Sequence, residues 1–232
     1  WKGCGPMGRK VDTVLLDYDG TLIDTNELIH RSWQYLFEKV AGRTPTKEEI
    51  YSTYGEMLRI TLKRFFGGTE EDIRRYIEIY RNYHIEHYDE GIRIFPGVAD
   101  MLNRLKRQGY TICLVTSRMG ASSYSGLKKF GVDMYFDDFV TAEDTDAHKP
   151  NPAPVLAALK KLGKKADQAV MLGDTWFDME CARRAGVRPI LAGWSEAYWY
   201  RRNRETGKPD YIIRQPADLV ELMARINRSE TD

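Results

Sequence analysis

Asp17-Tyr18-Asp19-Gly20-Thr21-Leu22 follows directly on the short apolar run Val11–Leu16. Side chains alternate along a strand, so Asp17 and Asp19 share a side just beyond its carboxyl end. Open α/β sheets place their ligands at that end. Two neighbouring carboxylates repel each other unless a cation or a shared proton relieves them, and Gly20 and Thr21 add backbone N–H groups at a tight turn, suited to phosphate oxygens. A second acidic pair lies in Gly173-Asp174-Thr175-Trp176-Phe177-Asp178, where an apolar strand gives way to a helix. Asp174 and Asp178 are one helical turn apart and can face one cleft. Such a set of carboxylate oxygens suits Mg²⁺, a hard cation that keeps some of its waters. Taken alone, Asp174 reads more readily as the cap of the helix beginning near Trp176.

Two further pieces fall at strand ends. Thr116-Ser117 closes the run Ile112–Val115 and brings hydroxyls to the sheet's edge, or else caps the next helix. Lys149, between His148 and Pro150, offers a compact positive charge, although a lone loop lysine is commonly just solvated. Together, two carboxylate pairs, a hydroxyl and a lysine at successive strand ends make a phosphoryl-transfer site.

The elements that must position these groups follow a rhythm. Val11–Leu16 reads as a buried strand, and residues 24–91 read as helical throughout. Within that block, Ile29, Trp33, Leu36, Phe37 and Val40 recur at helical spacing. Thr46 with Glu49 and Thr69 with Asp72 are capping boxes, and Gly67-Gly68 ends the helix between them. Beyond Pro96, helices at Val98–Gln108, Ser122–Phe130, Pro152–Leu162, Phe177–Ala185 and Ala217–Ile226 alternate with strands at Tyr110–Thr116, Ala169–Gly173, Val187–Ala192 and Tyr211–Ile213. Glycine follows four of these helices. Strand–helix repetition of this kind predicts an α/β fold, a doubly wound, Rossmann-like parallel sheet covered on both faces. The expected organisation is a discontinuous core, residues 7–23 and 93–232, with a small all-helical cap at 24–92. Residues 1–6 are read as a non-native or disordered leader, because patterning starts only after Met7.

Composition narrows the partners. The chain has 232 residues, with 35 Lys and Arg against 34 Asp and Glu, for a net charge of +1. That balance predicts no nucleic-acid partner and no attraction to an anionic membrane. The apolar runs are far shorter than the ~20 residues of a spanning helix. Cys4, Cys113 and Cys181 fit neither a disulfide framework nor a zinc site, so a reducing cytoplasm is expected. Oligomeric state is not readable from these features.

The order and spacing of these motifs resemble the haloacid dehalogenase-like (HAD) superfamily, in its phosphatase branch with a small helical cap after the first motif. Asp17–Leu22 resembles the first motif, Thr116 the second, Lys149 the third and Gly173–Asp178 the fourth. The resemblance implies that Asp17 is the nucleophile and Asp19 the general acid and base. It implies that Thr116 and Lys149 bind the transferring phosphoryl group, with Gly20, Thr21 and Ser117 beside them. Mg²⁺ would be held by Asp17, the backbone carbonyl of Asp19, and Asp174, with Asp178 close by. The substrate would be a small phosphorylated metabolite hydrolysed through an aspartyl-phosphate. Dehalogenases of this superfamily lack an aspartate at the Asp19 position, and its sugar-phosphate mutases usually carry Glu-Asp where this chain has Gly173-Asp174. Tyr18 replaces the more usual Phe or Leu and reads as local packing. Asp24–Ile29 and the small cap are similar to phosphoglycolate phosphatases and bacterial pyrophosphatases. A mutase, or a protein that binds phosphometabolites without turnover, is the alternative.

Three features remain open. Arg59 and Lys63 share a helical face in the cap, as candidates to meet a second anionic group on the substrate, or as a solvated face. His84 and His87 continue the stripe of Ile73, Ile77 and Tyr80 and read as packing at the cap's inner face or a subunit contact. Trp194 and the aromatic, basic stretch 198–204 read as a surface loop over the core.

Overall fold

The computed structural model describes residues 11–196 and 208–229. Its centre is a six-stranded, wholly parallel sheet built from β1 (Thr13–Leu16), β4 (Thr111–Val115), β5 (Asp138–Val140), β6 (Ala169–Gly173), β7 (Arg188–Ala192) and β8 (Tyr211–Ile213), in the order β5-β4-β1-β6-β7-β8. β1 pairs on one side with β4 and on the other with β6, so three motif-bearing strand ends lie side by side.

Alternation along these strands feeds two cores. Val14, Leu16, Ile112, Leu114, Val170 and Leu172 face one layer, where α6 (Val98–Arg107), α7 (Gly120–Lys129) and α10 (Ala217–Ser229) supply Met101, Leu105, Leu127, Leu219 and Met223. Leu15, Cys113, Val115 and Met171 face the other, covered by Val155 and Ala158 of α8 (Ala153–Leu162) and Ala182 of α9 (Trp176–Arg184). Both faces are apolar, as a parallel sheet between helical layers requires, and each fully buried large side chain stabilises by about 1.5–3 kcal/mol. The cysteines at 113 and 181 are buried free thiols. None of the helices described is long and apolar enough to cross a membrane.

Between β1 and β4 the chain forms the helical insert: α1 (Asn26–Ala41), α2 (Lys47–Tyr51), α3 (Leu58–Phe66), α4 (Glu70–Glu86) and α5 (Tyr88–Gly91). Both expected capping boxes are present, Thr46 with Glu49 and Thr69 with Asp72. The insert has its own core of Trp33, Leu36, Phe37, Ile50, Leu62 and Ile73, in which Trp33, Phe37 and Phe65 meet edge to face. Its boundary differs from a purely helical reading. Ile23–Asp24 (β2) and Arg93–Ile94 (β3) pair antiparallel, so the chain leaves and re-enters the sheet domain through a two-stranded ribbon. Strands this short carry no periodicity to read. β5 escaped the sequence pattern because it opens on a charged residue, Asp138, and only Val140 of its three residues is fully buried.

Candidate active site

β1 delivers Asp17 to the sheet's edge, where its N–H still donates to Leu172 O at 2.9 Å. Tyr18, with the parity of Val14 and Leu16, points back into the core and is wholly buried. The chain then turns tightly, with Leu22 and Ile23 N–H both donating to Tyr18 O at 3.0 Å. Gly20 has φ +73°, and a Cβ there would overlap the Asp174 carboxylate and stand 2.9 Å from Ser195 Oγ, so both the turn and the approach of the second acidic motif require glycine. Thr21 Oγ1 is buried without a hydrogen-bond partner among the described residues, and its carbonyl accepts from Trp194 Nε1 at 3.1 Å.

Lys149 is buried between two of the predicted carboxylates, its Nζ 2.7 Å from Asp17 Oδ1 and 2.7 Å from Asp178 Oδ1. The other oxygen of Asp178 accepts from Thr175 N at 3.0 Å and Thr175 Oγ1 at 2.7 Å. Thr175 and Asp178 therefore cap α9, and Asp174 does not, which removes the capping alternative for Asp174. Instead its Oδ2 accepts from Ser195 Oγ at 2.6 Å. Ser195 is fully buried past the end of β7 and was missed, because one serine after a strand carries no motif. Asp17, Asp174 and Asp178 can place one carboxylate oxygen each within 4.8 Å of one another. Thr116 is buried at the tip of β4 and accepts from Arg118 N at 3.1 Å through Oγ1, whereas Ser117 beside it is exposed.

The charge balance of this cluster is unfavourable without a further cation. Burial pushes Asp17 up to about 7, with Lys149 opposing and Asp178 reinforcing the shift. Asp174 is pushed well above the ordinary carboxylate range, by burial first and then by Asp178 and Asp17. Three clustered carboxylates, two of them on one lysine, fit Mg²⁺ by charge and by hardness. A carboxyl whose folded pKa is raised contributes stability that is complete below its unfolded value and is lost as pH rises through the folded one. The metal-free protein is therefore expected to lose stability as pH rises through about 7 at Asp17. Stabilisation by Mg²⁺, which competes with those protons, should grow over the same interval. Thermal melts with Mg²⁺ and with chelator, from about pH 5 to about pH 8, measure this; a pH-independent increment contradicts it.

Asp19 is turned differently. Its Oδ1 accepts from Thr25 Oγ1 at 2.8 Å and Arg118 Nη2 at 2.7 Å, and its Oδ2 accepts from Arg118 Nε at 3.0 Å. Burial pushes this carboxyl up, but the Arg118 charge and hydrogen bonds outweigh it and hold the pKa below the usual value. Sequence reasoning passed over Arg118, although its place two residues after Thr116, at a strand tip, was the available signal.

The insert reaches the site through α4 and α5. His84 approaches Arg118 with Nε2 3.3 Å from Nη1, and its ring is stacked on Tyr80. His87 stacks on Tyr83. Both observations agree with packing at the insert's inner side, although the contact of His84 with Arg118 adds a polar role. Tyr18 also does more than pack. Tyr88 gives its proton to Ser122 O at 2.8 Å, so at 2.7 Å the Tyr18 hydroxyl donates to Tyr88 Oη, tying the first motif to α5. Arg59 and Lys63 share the exposed face of α3, and both pair with Glu70 at the start of α4. They do not join the cluster around Asp17 in the described residues. Of the aromatic, basic cluster, Trp194 packs on Phe95, and residues 198–204 lie outside the described residues.

The family model for haloacid dehalogenase-like hydrolases matches residues 14–192. The chain belongs to this family. A Caldanaerobacter subterraneus subsp. tengcongensis protein provisionally assigned as pyrophosphatase PpaX is 38% identical over 221 residues, 95% of this chain and 98% of that protein. Pyrophosphatase PpaX of Bacillus mycoides is 33% identical over 218 residues, 94% and 99% of the two chains. Among solved structures, β-phosphoglucomutase of Clostridium difficile superposes with a TM-score of 0.79 at 20% identity, covering 95% of this chain and 98% of that one. At that identity the superposition speaks for the HAD fold alone. The parallel sheet and its flanking helices are those of the HAD core, and the chain is a HAD-like hydrolase.

Proposed function

We propose that this HAD hydrolase is a Mg²⁺-dependent phosphatase of a small phosphorylated metabolite, of phosphoglycolate or pyrophosphate type, working through an aspartyl-phosphate on Asp17. The observation that carries the reading is the buried bridge of Lys149 between Asp17 and Asp178, with Asp174 alongside. A lysine so held fixes the rotamer of Asp17 and presents positive charge where phosphoryl oxygens would lie. The names of the relatives add weight to pyrophosphate.

In the first step an Asp17 oxygen attacks phosphorus and the bond to the leaving oxygen breaks; Asp19, which must first leave the Arg118 pair and take up a proton, gives that proton to the leaving oxygen. In the second, water attacks the same phosphorus, Asp19 takes its proton, and the Asp17 carboxylate is restored. Lys149, Thr116, Ser117 and the Thr21 N–H bind the transferring phosphoryl oxygens, whereas the Gly20 N–H expected to join them is taken by Ile23 O at 2.9 Å, so Gly20 serves through its turn. Asp17, Asp174 and the Asp19 carbonyl would hold Mg²⁺, with Asp178 close by. Bound there, the ion neutralises charge on those oxygens.

Residues 7–23 and 93–232 form the catalytic core in this reading, and 24–92 form a cap that closes over the leaving group and excludes water. A cytoplasmic location, with no nucleic-acid or membrane partner, fits the small substrate. The test is steady-state phosphate release from phosphoglycolate, pyrophosphate, sugar phosphates and nucleotides, with and without Mg²⁺. Release that needs Mg²⁺ and favours one or two small compounds is expected. No release from any of them would overturn the reading and turn attention to hexose-phosphate interconversion.

A further inference from the structure

Arg118 sits on the leaving-group side of the site, and its surroundings are built. Its side chain is only 10% exposed, against 33% for Asp19. The guanidinium lies over two aromatic faces, 5.4 Å from the Tyr18 ring centroid and 5.2 Å from that of Tyr88. Those rings, one from the core and one from the insert, hold the planar fork in a fixed orientation.

The third neighbour is neutral. Ser32 Oγ gives its single proton to Leu28 O at 2.7 Å, so at 3.1 Å it accepts from His84 Nδ1. The hydrogen-bond network thereby assigns the proton of His84 to Nδ1 and leaves Nε2 as the acceptor facing both Arg118 terminal nitrogens at 3.3 Å. Among the described residues Asp19 is thus the one anionic partner of Arg118. It gives both oxygens to that pairing, while Thr25 Oγ1 takes a further site on Oδ1.

On the reading given above, Asp19 must reach the leaving oxygen, so whatever touches Asp19 borders the leaving group. An Arg118 fork spread over both Asp19 oxygens holds the carboxylate in an ion pair that competes with its turning toward that oxygen. An anionic group carried a bond or two beyond the leaving oxygen would take the fork in the same bidentate manner and free the aspartate.

We propose that Arg118 is the specificity-determining residue of this site: it receives a second anionic group on the leaving side of the substrate, a carboxylate or a phosphoryl group. His84 is a positioning residue that holds the guanidinium without neutralising it. The preferred substrates are then short phosphoryl compounds with an anionic leaving group, and a neutral leaving group leaves Asp19 clamped. The inference rests on the hydrolase reading of the same site, and it assigns to a core residue the role that Arg59 and Lys63 were candidates for.

The test compares Arg118→Gln with the unsubstituted enzyme on 2-phosphoglycolate, pyrophosphate and methyl phosphate. Loss of one charge-assisted pair changes an equilibrium by roughly 10- to 100-fold. The ratio of kcat/KM for an anionic substrate to that for methyl phosphate should fall by that factor, mainly through KM, with Arg118→Lys intermediate. The substrate with the larger fall identifies the group received, carboxylate or phosphoryl. Equal changes on all three substrates would mean that Arg118 only clamps Asp19 and would overturn the proposal. Calorimetric binding to Asp17→Asn, with and without Arg118→Gln, repeats the comparison without turnover. A failure of the hydrolase reading is therefore separable: phosphate release would be absent while the selective loss of anion binding persisted.

Discussion

Asp17→Asn should lower phosphate release by more than about 10³-fold, the scale on which removing a nucleophile acts, while leaving the melting temperature of the metal-free protein unchanged or raised. Asparagine keeps the volume and one oxygen of aspartate, so the packing at the end of β1 is preserved. The amide nitrogen cannot attack phosphorus as a carboxylate oxygen does, and no nearby group replaces it: Asp19 is engaged by Arg118, and Asp178 gives one oxygen to the cap of α9 and the other to Lys149. The stability half follows from the charge balance. Burial already raises Asp17 to about 7, so the ionised carboxylate is a strained species above that pH, and the neutral isostere removes the strain. Lys149 keeps Asp178 as its partner and is not left as a bare buried charge. Phosphate release within tenfold of the unsubstituted enzyme would refute the nucleophile assignment. A large fall in melting temperature would instead mean that the Lys149 bridge needs both carboxylates to hold the fold.

The sequence disclosed those parts of the site that lie next to a strong local signal. Asp17, Thr116 and Asp174 each follow an apolar strand, and that place just beyond three neighbouring strand ends puts them at the sheet's carboxyl edge. The helical insert was equally visible, because its capping boxes and its stripe of Trp33, Leu36 and Phe37 are short-range patterns. What stayed hidden depends on contacts between distant segments. Arg118 meets Asp19 across 99 residues of chain, and Ser195 meets Asp174 across 21. No periodicity encodes such pairs, and an arginine or serine in a loop is ordinarily solvent-facing. The ribbon of β2 and β3 was missed because two residues per strand hold no alternation.

Gly126→Ala should be strongly destabilising, although on an exposed helix the same substitution would help. Alanine is favoured over glycine inside a helix by about 1 kcal/mol, and Gly126 lies within α7. At this position, however, a methyl group overlaps the Tyr18 hydroxyl outright and stands 2.6 Å from Tyr88 Oη and 3.0 Å from Tyr18 Cζ. Neither ring has room to retreat, since Tyr18 is fully buried and the two hydroxyls are bonded to each other at 2.7 Å. Overpacking of this kind costs about 3 kcal/mol or more when nothing can move, which exceeds the helical gain. The net loss of about 2 kcal/mol corresponds to a fall of about 4–8 °C in melting temperature for a chain of this size. Tyr18→Phe alone should cost only about 1 kcal/mol, because Tyr88 keeps its bond to Ser122 O. Combined with Gly126→Ala it removes the overlapping oxygen, so the double variant should be more stable than the sum of the two single losses predicts. Simple additivity would place the damage elsewhere. Because Tyr18 lies between Asp17 and Asp19 in the chain, the strain of Gly126→Ala also reaches both carboxylates. Its kcat should fall further than its folded fraction does, and should recover in part with Tyr18→Phe.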